Sequence, residues 1–427
     1  MKKSKIISAL LLSFSVSYAI EAAPAKWSFL TYMQADNNLS PFATYNFKDM
    51  QKVGSTNDVN ILVQWDKPET RATHRYKVLQ NNMVVNSSTS QEMGLNPAKE
   101  IVDAMKWVQN TYPAEQYGLV LWNHGNGVLD RGGAMPLLTT PWLIIPGLKS
   151  RYIQKERGIL YDYSQNTFLD NPGLTSVCNQ IKTLLKKNLD FLGMDACLMA
   201  MIEVAYQVKD SVNYLIASQQ TEAGKGWPYS SILSSLIGVP TMTGAELGNA
   251  TVQAYADFYS TGSDADASFT MSSINVSKIP AAVNAFNSVL GAIKQMQLLD
   301  KAGTNAALKR ARTNTLEFYI PDYIDLINFY DNLSKELAAM AGGRPKKSTL
   351  PRDTNVKKAT SATLTAITTA RAAAIDSITA SQGGTDNNNS AFGLSIYFPA
   401  DGRVSSSYRK TLFAQQTSWV SILTSLR

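Results

Sequence analysis

Two cysteines and two histidines are all that the 427 residues contain, and one of each follows a short apolar run. His124 closes the run in LVLWNHGNG, and Cys197 closes the run in FLGMDACLMA. A free thiol titrates near ~8.5 and attacks only as its thiolate, so a nearby imidazole activates it by taking the proton. A cysteine at the carboxyl end of a buried strand is where an α/β sheet presents a reactive group to solvent. The helical pattern after Cys197 predicts a helix start beside the sulfur, which lowers its pKa further. The glycines after His124 let backbone N–H groups approach a substrate carbonyl, which makes Gly125 N–H and Cys197 N–H the natural oxyanion donors.

The remaining thiol and imidazole read differently. Cys178 falls in a helical apolar pattern and belongs to a core, and His74, on an alternating strand with no polar partner in view, is structural or exposed. Two histidines and two cysteines give no cluster with zinc spacing, so neither a metal site nor a cofactor is expected. The run 386–389 is the nearest approach to a calcium loop, and turn chemistry accounts for it equally well. The thiols leave a rival open. A disulfide between Cys178 and Cys197 would consume the nucleophile and leave a catalytically silent, secreted binding protein.

The elements that must position these residues alternate. Apolar, β-rich runs at 27–33, 59–65, 117–122, 191–194 and 212–218 are separated by helical periodicities, the pattern of a mainly parallel sheet covered by helices on both faces. Between the two strand ends, residues 129–172 follow no period and carry Lys149, Arg151, Lys155 and Arg157. A structureless stretch of that length in a compact fold is functional or disordered. A strand is expected near 268–274, and beyond it the chain turns mostly helical, with one late strand at 393–399 that could add to the first sheet. The expected organisation is therefore a signal peptide over 1–19, an α/β core over 20–265 and a helical region over 266–427.

The leader rests on a basic start, Lys2, Lys3 and Lys5, an apolar stretch over 6–16 and small residues ending at Ala19. The mature protein is thus secreted or periplasmic, with no stable membrane anchor. A net charge of +7 spread over this length, with lysines in isolated pairs, predicts no nucleic-acid partner.

His-Gly-x-Gly at 124–127 and Asp-Ala-Cys-Leu-Met at 195–199 resemble the motifs of the clostripain-like cysteine peptidases, relatives of caspases, gingipains and legumain. SQQTEAGKGWPYSSIL (218–233), YIDLINFY (323–330) and GLSIYFP (393–399) agree in order and spacing. The resemblance implies a caspase-like α/β core with a C-terminal extension, acting on protein or peptide substrates. It implies His124 as general acid/base and Cys197 as nucleophile, with an acyl-enzyme intermediate, and self-processing within 129–172. It also implies a pocket for Arg or Lys lined by acidic side chains, which Asp195 matches. In the later loop relatives often read Pro-Gly-Asp-Gly-Trp, and this chain has Lys225 before Gly226 and Trp227. Lys225 there is expected to repel a basic substrate, moving the preference toward neutral or acidic residues unless Glu222 substitutes.

Overall fold

The computed structural model describes residues 24–68, 70–81, 83–129, 158–342, 351–386 and 391–427. The leader 1–19, the four basic residues from Lys149 to Arg157, and 387–389 lie outside the described residues.

In chain order the first half runs β1 (Ala25–Gln34), α1 (Ser40–Gln51), β2 (Val59–Asp66), β3 (Thr73–Val78), β4 (Val84–Asn86), α2 (Pro97–Thr111), β5 (Ala114–Trp122), β6 (Ile159–Asp162), β7 (Thr167–Leu169), α3 (Asn171–Leu185), β8 (Phe191–Asp195), α4 (Ile202–Gln207) and β9 (Tyr214–Ala217). The second half runs α5 (Tyr229–Gly238), α6 (Gly244–Ser260), β10 (Thr270–Asn275), α7 (Ile279–Thr313), β11 (Tyr323–Asp325), α8 (Leu326–Gly342), α9 (Pro351–Asp376), β12 (Ile378–Gly383), β13 (Ser395–Tyr397), α10 (Leu412–Gln416) and α11 (Trp419–Ser425). Local chemistry sets several starts. Asn96 accepts from Lys99 N–H ahead of α2, whose first turn holds Pro97, and Thr243 with Glu246 forms a capping box for α6.

The nine-stranded sheet has the order β12-β10-β9-β8-β5-β1-β2-β3-β4. Strands β9, β8, β5, β1 and β2 are parallel, and antiparallel strands extend both edges. This is the expected mainly parallel α/β sheet. Its strands are buried on both faces, and alternate side chains feed two cores. Leu30, Tyr32 and Leu62 join α2, α3, α4 and α7 on one side, while Phe29, Met33 and Ile61 join α1, α5 and α6 on the other.

The boundary expected near residue 265 does not interrupt the sheet. β10, the strand expected near 268–274, pairs with β9, and β12 with β10, so the C-terminal region completes the edge; the late strand, β13, pairs instead with β11, and β11 and β12 are additional to the strands expected. The core on the α2 face runs on through Trp419 and Leu426. β13 also reaches back, because Ser395 N–H donates to Ala200 O at 2.9 Å and holds the chain just past Cys197. Among the described residues no helix is long and apolar enough to cross a membrane.

Candidate active site

The register of two strands places His124 and Cys197. β5 and β8 are adjacent and parallel, with Trp122 opposite Asp195, and Asn123 N–H continues the ladder to Asp195 O at 3.3 Å. His124 and Cys197 each stand two positions past that matched pair, on strands about 4.8 Å apart. Gly125 lets them close up. A Cβ on it would lie 2.5 Å from Cys197 O and 3.0 Å from Ala196 Cβ, so any side chain would push the histidine segment off the cysteine turn. The site lies beside β1, where the strand order turns back and a crevice opens at the carboxyl ends.

His124 is half-buried. Its Nε2 stands 2.7 Å from Asn38 Oδ1, which also accepts from Tyr163 Oη at 2.8 Å. An amide oxygen only accepts, so the ring proton belongs on Nε2 and Nδ1 keeps its lone pair. The segment is fastened behind the ring: Asn123 Oδ1 accepts from His124 N–H, and Asn123 Nδ2 donates to Gln34 O and to Tyr161 O at 3.1 Å.

Cys197, also half-buried, lies in a tight turn in which Leu198 has φ +67°. No helix starts there. Met201 pairs with Ser395, and α4 begins only at Ile202, because the strand-like hold from β13 keeps 199–201 extended. The sulfur's polar neighbour is instead a backbone amide, Glu222 N–H, 3.3 Å from Sγ. Neither cysteine is in a disulfide. Cys178 is buried in α3, where burial pushes it up to about 12, and the disulfide of the rival reading does not form. His74 is also not without partners: Thr70 Oγ1 stands 2.8 Å from Nε2 and Tyr76 Oη 3.2 Å from Nδ1.

The turn at 218–228 brings an acidic pair to the cysteine. Asp195 and Glu222 are 5% and 8% exposed. Asp195 Oδ2 accepts from Tyr229 Oη at 2.9 Å and from Trp227 N–H at 3.3 Å. Neither Glu222 oxygen has a donor in full hydrogen-bond geometry among the described residues, although the Ala196 N–H and the Trp227 indole lie toward it; it also faces the Asp195 carboxyl, and those two bond only when one proton sits between them. Burial pushes Asp195 up to about 6, against the pull of the Tyr229, Glu222 and Trp227 hydrogen bonds. Burial first, then the Asp195 charge, drives Glu222 well above the carboxylate range. No cation is among the groups that shift either carboxyl.

Lys225 supplies no such charge to the pair. Its Nζ sits 2.7 and 2.8 Å from the two oxygens of Asp264, beside the Tyr45 ring. Asp264 meets the charge that is expected to repel a basic substrate, and the next residue, Gly226, has φ +59°. At Gly226 a Cβ would lie 2.6 Å from Asp195 Oδ1, so glycine is required on steric grounds as well. Trp227, expected in the substrate pocket, is fully buried and packs on Phe191 and Gly193 beneath the sheet. It meets the acidic pair through its backbone N–H on Asp195 and its indole beside Glu222. Asn46 of α1 clamps this turn, donating to Lys225 O at 2.8 Å and Trp227 O at 3.3 Å while accepting from Trp122 Nε1 at 2.9 Å.

Sequence reasoning missed Asn38, Asn46, Asn123, Tyr163 and Tyr229. The signal open to it was a set of amide side chains directly after apolar runs, as at Asn37-Asn38 after β1 and Asn123 after β5.

The clostripain family model matches residues 31–425. Clostripain of Hathewaya histolytica is 23% identical over 244 residues, covering 49% of this chain and 42% of that protein. The matched segment thus spans less than half the length of that relative. The fold is similar to a secreted C11 cysteine protease from Bacteroides thetaiotaomicron in complex with an irreversible peptide inhibitor, with TM-score 0.60, 19% identity and 94% and 99% of the two chains covered. An inactive zymogen C11 protease from Parabacteroides distasonis superposes with TM-score 0.57 at 16% identity over 94% and 98%.

Proposed function

The chain belongs to the clostripain family, and we propose that it is an exported cysteine endopeptidase that cuts after basic residues with a His124/Cys197 dyad. The observation that carries this reading is the in-register meeting of the two strand ends, Trp122 opposite Asp195, with His124 and Cys197 just beyond.

His124 Nδ1 takes the Cys197 thiol proton while Asn38 holds Nε2–H, and the Glu222 N–H near Sγ stabilises the thiolate. Sulfur attacks the scissile carbonyl carbon, and the oxyanion forms toward the Gly125 and Cys197 N–H groups. The imidazolium returns its proton to the departing amine as the C–N bond breaks, leaving a thioester. Water, losing a proton to His124, attacks that thioester, and the carboxylate product departs as the thiol re-forms.

Recognition falls to Asp195 and Glu222. An arginine or lysine side chain entering beside Cys197 supplies the positive charge the pair lacks and takes the place of their shared proton. The same preference makes Lys149, Arg151, Lys155 and Arg157 candidate sites of self-processing.

The test is hydrolysis of fluorogenic peptides ending in Arg, Lys, Leu or Glu, together with mass spectrometry of the enzyme itself. Cys197→Ala and His124→Ala should abolish both hydrolysis and self-cleavage, and iodoacetamide should label Cys197 alone in the native protein. Undiminished hydrolysis in Cys197→Ala would end the proposal.

A further inference from the structure

β11 is only three residues long, and the chemistry proposed above uses none of them. Tyr323 and Asp325 lie two apart on that strand, so both side chains leave the same face, and both are fully buried. They reach the two segments that carry His124 and Cys197.

Tyr323 meets the histidine segment directly. Its Oη donates to Asn126 O at 2.6 Å and accepts from Leu129 N–H at 3.1 Å. Asn126 Nδ2 closes the same turn on Leu129 O at 2.7 Å. The fit is close, since a Cβ at Gly127, where φ is +58°, would lie 2.8 Å from the Tyr323 ring.

Asp325 meets the cysteine segment through a relay. Its Oδ1 accepts from Asn328 N–H at 2.8 Å, and its Oδ2 accepts from Phe392 N–H at 2.7 Å and from Gln219 Nε2 at 3.0 Å. Gln219, also fully buried, accepts from Gly393 N–H at 2.8 Å with its other end. Next to it, Gln220 Oε1 accepts from Tyr319 N–H at 2.9 Å, and Gln220 O accepts from Leu198 N–H at 3.1 Å. Two residues on, Glu222 N–H stands 3.3 Å from Cys197 Sγ. Thr270 Oγ1 accepts from the main-chain N–H groups of Gln219 and Gln220 at 2.9 Å each. The turn that touches the sulfur is thus held by β10 along its backbone and by residues 319–325 through two glutamine side chains.

Taking His124 and Cys197 as the reacting pair, we propose that Tyr323 and Asp325 are positioning residues that fix the histidine and cysteine segments in one geometry. Both act through other residues. A phenol suits the first place because one oxygen both donates and accepts, and a carboxylate suits the second because it accepts several N–H groups at once. An amide there would turn a donor toward one of those N–H groups. β13 supports the same arrangement, since it pairs with β11 and its Ser395 N–H holds Ala200 O beyond the cysteine. The C-terminal region therefore completes the peptidase centre, and a misplacement of about 1 Å at the reacting atoms costs on the order of 10²-fold in rate.

The test separates positioning from folding. Tyr323→Phe keeps the ring and loses Oη, Gln219→Met keeps the volume and loses both amide bonds, and Asp325→Asn keeps the shape. Thr243→Ala removes the cap of α6 at the far end of β8 from Cys197, where Gly244 packs on Asp190, and serves as a destabilised control. Each full-length protein is followed by steady-state hydrolysis, by Tm, and by the pH dependence of iodoacetamide alkylation at Cys197, which reads the thiolate without turnover. Tyr323→Phe should lower kcat about tenfold, and Asp325→Asn and Gln219→Met about 10–100-fold, with KM within about twofold of the parent. The alkylation midpoint should rise by about one pH unit in Asp325→Asn and Gln219→Met, because Glu222 N–H leaves the sulfur, and should not move in Thr243→Ala. If Asp325→Asn fails to fold, Tyr323→Phe and Gln219→Met decide the matter. Variants that lose Tm as Thr243→Ala does, yet keep the parent's kcat and alkylation midpoint, would overturn the proposal. A parent that hydrolyses nothing and alkylates as an ordinary thiol near ~8.5 would instead overturn the dyad itself.

Discussion

Two buried carboxylate groups flank the dyad on one sheet edge, and they differ in what surrounds them. On the β8 side, Asp195 has Tyr229 Oη and Trp227 N–H as donors, and Glu222 is pulled down only by the Ala196 N–H and the Trp227 side chain. On the β2 side, Asp162 accepts from Gln165 N–H and Ser164 Oγ and shares the Gln34 amide with Asp66, one of whose oxygens meets no donor among the described residues. The first group is furnished to hold one negative charge. In the second, Asp162 is furnished likewise, and Asp66 is the carboxyl left with the shared amide alone. The lesson is that burial of a carboxylate means little until its donors are counted.

The sharpest break between the two is specificity. Asp195→Asn should lower kcat/KM for arginine and lysine substrates by about 10²–10³, the ~3–4 kcal/mol lost when one member of a buried charge pair is removed. Asp66→Asn should leave the ratio of basic to neutral substrates unchanged. If both variants shifted that ratio alike, the division of roles between the groups would be wrong.

Asn38→Ala comes next. It removes the acceptor on His124 Nε2 and frees the ring to adopt the other tautomer, so kcat should fall by about 10–100-fold with KM nearly constant. Asn38→Asp should restore part of the rate, whereas a purely structural role would make aspartate no better than alanine.

pH then separates binding from stability. Asp195 is raised to about 6, mainly by burial, so the folded protein holds a proton that the unfolded chain, near ~3.9, has already lost. Between about pH 4 and 6 the native state binds more protons, and stability from this group is lost as pH rises through that window. Binding of a basic side chain moves the opposite way, because the pocket gains its charge over the same range. Initial rates on an arginine substrate should rise while Tm falls, and both trends should flatten in Asp195→Asn.

The smallest effect is expected at Lys225. With its ammonium on Asp264, Lys225→Ala should alter kcat/KM for basic peptides less than about threefold, within the range of exposed ion pairs. A large gain on substitution by aspartate would return Lys225 to the pocket.

Much of this was legible in the chain itself. Alternating apolar runs and helical periods specify a parallel sheet with two covered faces, because burial on both sides leaves no polar face to the strand. His124 and Cys197 stand out for the same reason: each ends an apolar run, and parallel strands deliver their ends to one edge. Local sequence therefore determined the fold class and the placing of His124 and Cys197 at neighbouring strand ends. What the side chains meet was left to the tertiary structure. Whether Lys225 faces Asp195 or Asp264 depends on a turn at Gly226, and whether Trp227 lines a pocket or fills a core depends on Phe191 behind it. Asn38 reaches His124 across 86 positions of chain, and Gln34 reaches Asp162 across 128. Periodicity acts between near neighbours, while these partners are chosen by the order in which strands β2, β1, β5 and β8 lie side by side, and that order is a property of the whole packed sheet.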